Sequence, residues 1–145
     1  MKQRSLFACR ALFLVLLLAG CGKLSRNAAG GGGATTIQVT ETDFHIEASV
    51  TNFIPGITYH FIVTNTGQTT HEFMILPKTE GTMTGMQMSD MDKMALASMG
   101  DLNPGETKTL DYAFPPSAAG THPELACYLP GHYEAGMKQA VAITA

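Results

Sequence analysis

Short β-prone runs separated by turn residues recur from residue 36 onward, and this punctuation constrains the fold more than any other feature. Thr36–Thr40 and Phe44–Ala48 alternate apolar and polar residues. In Ile57–Val63 the odd positions are apolar, so Ile57, Tyr59, Phe61 and Val63 are expected on one face of a strand. Pro55-Gly56 precedes this run, and Asn65-Thr66-Gly67 follows it. His71–Leu76 is stopped by Pro77, and Thr107–Phe114 lies between Asn103-Pro104-Gly105 and Pro115-Pro116. Glu124–Tyr128 and Lys138–Thr144 complete a set of seven strands in 110 residues, which predicts an all-β Greek-key sandwich. Lys78–Leu102 interrupts the strands as an irregular insertion. Within it Ser89 followed by Asp90 and Asp92 reads as an N-cap and acidic first turn, predicting one short helix over 89–98.

The chain ahead of these strands has a different character. Lys2, Arg4 and Arg10 precede ten apolar residues, 11–20. That run fits the ~7–15 residues of an export signal and is shorter than the ~20 of a membrane span. It ends Leu18-Ala19-Gly20-Cys21, which resembles the lipobox of bacterial lipoproteins. The resemblance implies cleavage before Cys21, lipidation of Cys21, and an exported protein anchored to the cell envelope. Residues 22–35, with four consecutive glycines at 30–33, read as a flexible tether. The expected organisation is therefore a signal peptide (1–20), a lipidated Cys21 with its tether (21–35), and one β domain (36–145).

Charge and cysteine content change once the leader is set aside. The whole chain carries −3. Residues 36–145 hold four lysines against all twelve acids, a net −8. Such a domain does not suit nucleic acid, whose phosphates require a basic patch. It favours partners with a basic docking surface. Of three cysteines, Cys9 lies in the signal and Cys21 at the lipobox, which leaves Cys127 as the one thiol of the β domain. An oxidising compartment gives an unpaired thiol no ordinary structural purpose.

Cys127 opens a segment of unusual chemistry, C-x4-H-x4-M, with Cys127, His132 and Met137 between two predicted strands. A thiolate, an imidazole and a thioether within eleven residues can turn inward around one ion. Soft sulfur with imidazole selects copper, and two His, one Cys and a weak axial Met form the trigonal blue-copper set. The second histidine must come from elsewhere. His71 is the best placed, at the start of a strand just after the 65–70 turn.

On these residues 36–145 resemble the cupredoxins, the type 1 blue copper family of plastocyanin and azurin. The resemblance implies a sandwich of seven to eight strands holding one copper ion. His71, Cys127 and His132 would be its equatorial ligands and Met137 its axial one. It also implies one-electron transfer to redox protein partners, by a monomer, with the exposed edge of His132 as the exit. One position departs from the pattern: Glu72 stands where relatives often carry an Asn that ties the ligand loops together.

The remaining candidates have plainer readings. His45 and His60 occupy polar strand faces, and His122 lies beside a strand-breaking Pro123. Tyr128 and Tyr133 read as packing or rim. Met83, Met86, Met88, Met91, Met94 and Met99 crowd the insertion, after Met74. Thioethers bind Cu(I), yet Met is also a flexible packing residue. Met91, Ala95 and Met99 would share one helical face, with Met88 beside them, covering the sandwich. Two function classes follow: a membrane-tethered electron carrier, or an exported copper-binding protein for storage, delivery or resistance. Enzymatic copper chemistry is not expected, because four protein ligands leave no open position for substrate.

Overall fold

The computed structural model describes residues 34–78 and 87–144, with the side chain of Met88 excepted. The signal, Cys21, most of the tether, Met83 and Met86 lie outside the described residues.

Two four-stranded sheets carry the architecture. The first is ordered β2-β1-β4-β7, from β1 (Thr35–Thr42), β2 (His45–Ala48), β4 (Thr58–Asn65) and β7 (Thr107–Ala113). In it β1 and β4 run parallel, and the other neighbours are antiparallel. The second is ordered β6-β5-β8-β9, from β5 (His71–Leu76), β6 (Ala97–Leu102), β8 (Glu124–Ala126) and β9 (Lys138–Ala140), all antiparallel. β3 (Asn52–Phe53) and β10 (Ala142–Ile143) add a small parallel pair.

Alternation decides what fills the space between the sheets. Ile37 and Val39 of β1, Phe61 and Val63 of β4, Phe73 and Ile75 of β5, and Leu125 of β8 meet in one buried cluster. Phe53 anchors it, with ring centroids 4.9 Å from Tyr59 and 5.2 Å from Phe114. Fully burying a side chain of this size contributes about 1.5–3 kcal/mol. β5 departs from alternation, since all six of its residues are buried. Its outer face is covered: Met74 and Leu76 pack with Met91 of α1 (Met88–Met94), Ala126, Tyr128 and Tyr133. A strand covered on both faces reads as a continuous apolar run.

The sandwich, its class and the single α-helix among the described residues match the reading of the sequence. Several boundaries differ. The helix ends at Met94 rather than 98, and residues 97–102 form β6, which pairs with β5. Residues 97–102 take their backbone partners from β5 instead, with Ala97 opposite Ile75 and Leu102 opposite His71. Met99 therefore lies on a strand and packs on the inner core, while Met91 and Ala95 pack on the outer cluster. The shared helical face is not formed. The helix N-cap is Gln87, without a side-chain cap bond, and not Ser89. Ile57 is exposed and precedes its strand, because Gly56 takes a left-handed turn (φ 82°) that delivers the chain to β4 only at Thr58. β3, two residues long, is too short for any periodic signal.

Candidate metal centre

The centre lies where β5 begins and β8 ends. These strands pair antiparallel, with Met74 opposite Ala126 and Ile75 opposite Leu125. The first residue of β5, His71, therefore sits at the same end as Cys127, which follows β8. The loop after Cys127 then folds back on itself. The N–H of His132 donates to Leu129 O (2.9 Å), that of Met137 to His132 O (3.0 Å), and that of Cys127 to Met137 O (3.1 Å). Gly131, at φ 84°, supplies a left-handed turn ahead of His132.

Three side chains converge there. His71 Nδ1 and His132 Nδ1 are 3.3 Å apart, and Cys127 Sγ is 3.3 Å from His132 Nδ1. One donor atom from each of the three lies within 4.8 Å of the others. His71, Cys127 and Met137 are fully buried, while His132 is partly exposed. Nitrogen and sulfur donors at this spacing suit one ion with bonds of ~2 Å. The set is soft and free of oxygen, so it fits copper and not magnesium or calcium.

The electrostatics fit a ligand set. Burial, then the neighbouring His132, push the His71 imidazole below its ordinary value, against the opposite pull of Asp43. A neutral imidazole is the form that binds metal. Burial pushes the Cys127 thiol up to about 11, with the Glu72 and Leu129 backbone N–H groups opposing it. The thiol must therefore lose a proton to become a ligand, and this couples metal uptake to pH.

Glu72 ties the two ligand segments together despite the departure noted above. Its backbone N–H donates to Cys127 Sγ at 3.3 Å, and its carboxylate accepts from the Tyr128 backbone N–H. Burial, followed by Asp92 and Asp101, still raises its pKa to about 7.

Some contributors are not evident from the linear sequence. Asp43 and Phe44 form the turn between β1 and β2. Asp43 Oδ1 lies 3.5 Å from His71 Nε2. The Phe44 ring stands edge-on to His132 at 5.2 Å. Phe44 is exposed and holds φ 65°, a conformation that costs a non-glycine residue roughly 1 kcal/mol or more. A positive-φ aromatic residue leaves no signal in the sequence. Glu41 was legible in principle, since it continues the inward positions of Ile37 and Val39 on β1.

The other sequence candidates fall outside the centre. His45 is exposed, His60 pairs with Asp111 at 2.5 Å, and His122 is exposed. Tyr133 donates to Glu124 at 2.8 Å beneath Lys138, and its ring lies 5.1 Å from that of Tyr128. Both tyrosines belong to the outer packing cluster.

No protein-family model matches the chain, and no curated protein sequence matches it. Solved structures of similar fold do. Dithionite-reduced auracyanin from Roseiflexus castenholzii is 21% identical with a TM-score of 0.57, over 78% of this chain and 100% of that one. Auracyanin A, a "blue" copper protein of Chloroflexus aurantiacus, is 19% identical with a TM-score of 0.58, over 77% and 100%. Rusticyanin from Thiobacillus ferrooxidans is 17% identical with a TM-score of 0.59, over 77% and 79%.

Proposed function

We propose that this chain, a cupredoxin by its fold and its His-Cys-His constellation, is an exported, lipid-anchored carrier of single electrons. The observation that carries the reading is the convergence of His71, Cys127 and His132 within 4.8 Å at the buried end of a rigid sandwich. Bound copper would supply reversible Cu(I)/Cu(II) cycling. His71, Cys127 and His132 would hold it, with Met137 as the weak fourth ligand. The chain's own part is to keep these donors in place whichever oxidation state is bound. His71 is anchored on a strand, and Cys127 is clamped between the Glu72 N–H and the Met137 carbonyl. Donors that need not move present a small barrier to electron exchange. Four protein donors also leave no open substrate position, which favours a carrier over an enzyme.

Partly exposed His132 lies beside exposed Pro130, Gly131 and Phe44, a natural contact for a redox partner. The lipobox at Cys21 and the glycine tether support membrane anchoring, and the net −8 of residues 36–145 supports a basic partner surface. Association with such a partner should weaken by an order of magnitude or more from low to physiological salt. Surface plasmon resonance at two ionic strengths measures this, and salt-independent binding would exclude electrostatic steering.

The deciding experiment adds Cu(II) to the purified protein and measures visible absorption and bound metal. One copper per chain with an intense thiolate-to-copper band is expected, and a colourless, copper-free protein would sink the proposal. More than one tightly held copper would instead favour copper storage or delivery through the methionine segment. Met91 and Met74 are fully buried in packing, which favours the single-copper carrier. Met137→Gln should lower the midpoint potential, because an oxygen donor stabilises Cu(II) over Cu(I). Voltammetry unchanged by that substitution would show that Met137 is not the axial ligand.

A further inference from the structure

We propose that Asp43 is a positioning residue for the copper centre: it holds the His71 proton on Nε2 and thereby presents Nδ1 to the metal. This rests on the copper reading above. The His71 ring is fully buried and has two polar ends. Nδ1 faces His132 at 3.3 Å. Nε2 points the other way and has no hydrogen-bond partner among the described residues. The group it faces is Asp43 Oδ1, at 3.5 Å, a few tenths of an ångström beyond a hydrogen bond.

Asp43 is held in position. Oδ1 accepts from the Gln68 N–H at 3.1 Å, the Thr69 N–H at 3.1 Å and the Thr69 hydroxyl at 2.8 Å. Oδ2 accepts a second contact from the Gln68 N–H at 3.2 Å, so both carboxyl oxygens are tied to the 68–69 turn. The packing of Gly67 points to the same contact. A Cβ there would lie 2.7 Å from Asp43 Oδ1 and 2.9 Å from His71 Nε2. Gly67 does not have a left-handed backbone, so what its missing side chain provides is room for the carboxylate and the imidazole to approach.

An imidazole whose Nε2–H faces a carboxylate keeps its Nδ1 lone pair free, the tautomer that ligation through Nδ1 requires. The carboxylate also makes the ring a better donor, which favours Cu(II) more than Cu(I). Loss of such an outer partner typically costs 10–100-fold in metal affinity. Where only Cu(II) affinity falls, each tenfold raises the midpoint potential by about 59 mV.

The test uses the full-length protein and three variants. Asp43→Ala removes the carboxylate and should weaken Cu(II) binding by 10–100-fold, with a matching rise in potential. Asp43→Asn keeps an acceptor for Gln68 and Thr69, so it should retain wild-type thermal stability and show a smaller rise. Gly67→Ala leaves the charge in place but drives it off Nε2, and should move the potential in the same direction. Long-range 1H–15N spectra of the copper-free protein locate the His71 proton independently of copper. Nε2–H is expected in the wild type, with a mixture of tautomers in Asp43→Ala. A proton on Nδ1 in the wild type would overturn the proposal. So would potentials within a few millivolts of wild type in both Asp43→Asn and Gly67→Ala. Failure of the wild type to take up copper would refute the functional reading, while the spectra would still decide the role of Asp43.

Discussion

Cys127→Ser should abolish the visible thiolate-to-copper band and reduce copper affinity by several orders of magnitude while preserving the sandwich. Sγ is fully buried, accepts the Glu72 N–H at 3.3 Å and lies 3.3 Å from His132 Nδ1. A serine hydroxyl can accept the same N–H, so the ligand segments stay tied. Burying a hydroxyl in place of a thiol costs on the order of 1 kcal/mol. What is lost is the soft, polarisable anion that both selects copper and produces the absorption. Copper content by elemental analysis, the visible spectrum and circular dichroism together separate loss of the site from loss of the fold. A Cys127→Ser protein that stayed coloured would place the site elsewhere. The thiol's raised pKa, about 11, adds a second signature in the wild type. Copper uptake must displace that proton, so apparent affinity should rise about tenfold per pH unit through the neutral range.

Glu41→Leu should stabilise the copper-free protein at pH 8, and most of the wild type's pH dependence above pH 4.5 should go with it. Glu41 is fully buried on β1, and neither carboxyl oxygen has a hydrogen-bond partner among the described residues. Burial first, and nearby Glu72 second, raise its pKa from 4.5 to about 8. The folded state thus holds a proton that the unfolded chain releases at lower pH. Stability from this group is fully present below about pH 4.5 and declines as pH rises towards about 8. Glu72, raised to about 7 by burial and then by Asp92 and Asp101, acts in the same direction over a narrower window. The decline attributable to Glu41 is on the order of a few kcal/mol. Leucine needs no proton and fills similar space. Its melting temperature at pH 8 should exceed the wild type's by on the order of 10 °C, and the gap should shrink towards pH 5. A wild-type melting temperature that did not fall between pH 5 and pH 8, or a Leu variant less stable at pH 8, would contradict this account.

Much of the fold was legible because β-strands announce themselves locally. Alternation at Ile37, Val39, Tyr59, Phe61 and Val63, cut by Pro and Gly turns, is a property of a few adjacent residues and survives into the sandwich. Where local signals competed with pairing they failed. Residues 95–98 read as the end of a helix in isolation, yet residues from Ala97 onward pair with β5. Glu72 departs from the pattern of the resemblance. Its backbone N–H and carboxylate nevertheless join the ligand segments, a result that depends on where Cys127 and Tyr128 lie in space.

The chain's own order of residues determined that a thiol, an imidazole and a thioether would share one loop, because eleven consecutive residues cannot move far apart. It also marked His71 as the fitting fourth donor. Only the tertiary structure decided which groups surround that set. Antiparallel pairing of β5 with β8 carries His71 to Cys127 across 56 residues of chain, and the turn after β1 carries Asp43 to His71 and Phe44 to His132. Such contacts have no period and no motif. They arise from how strands cross and stack, so the donors were readable in one dimension and their environment only in three.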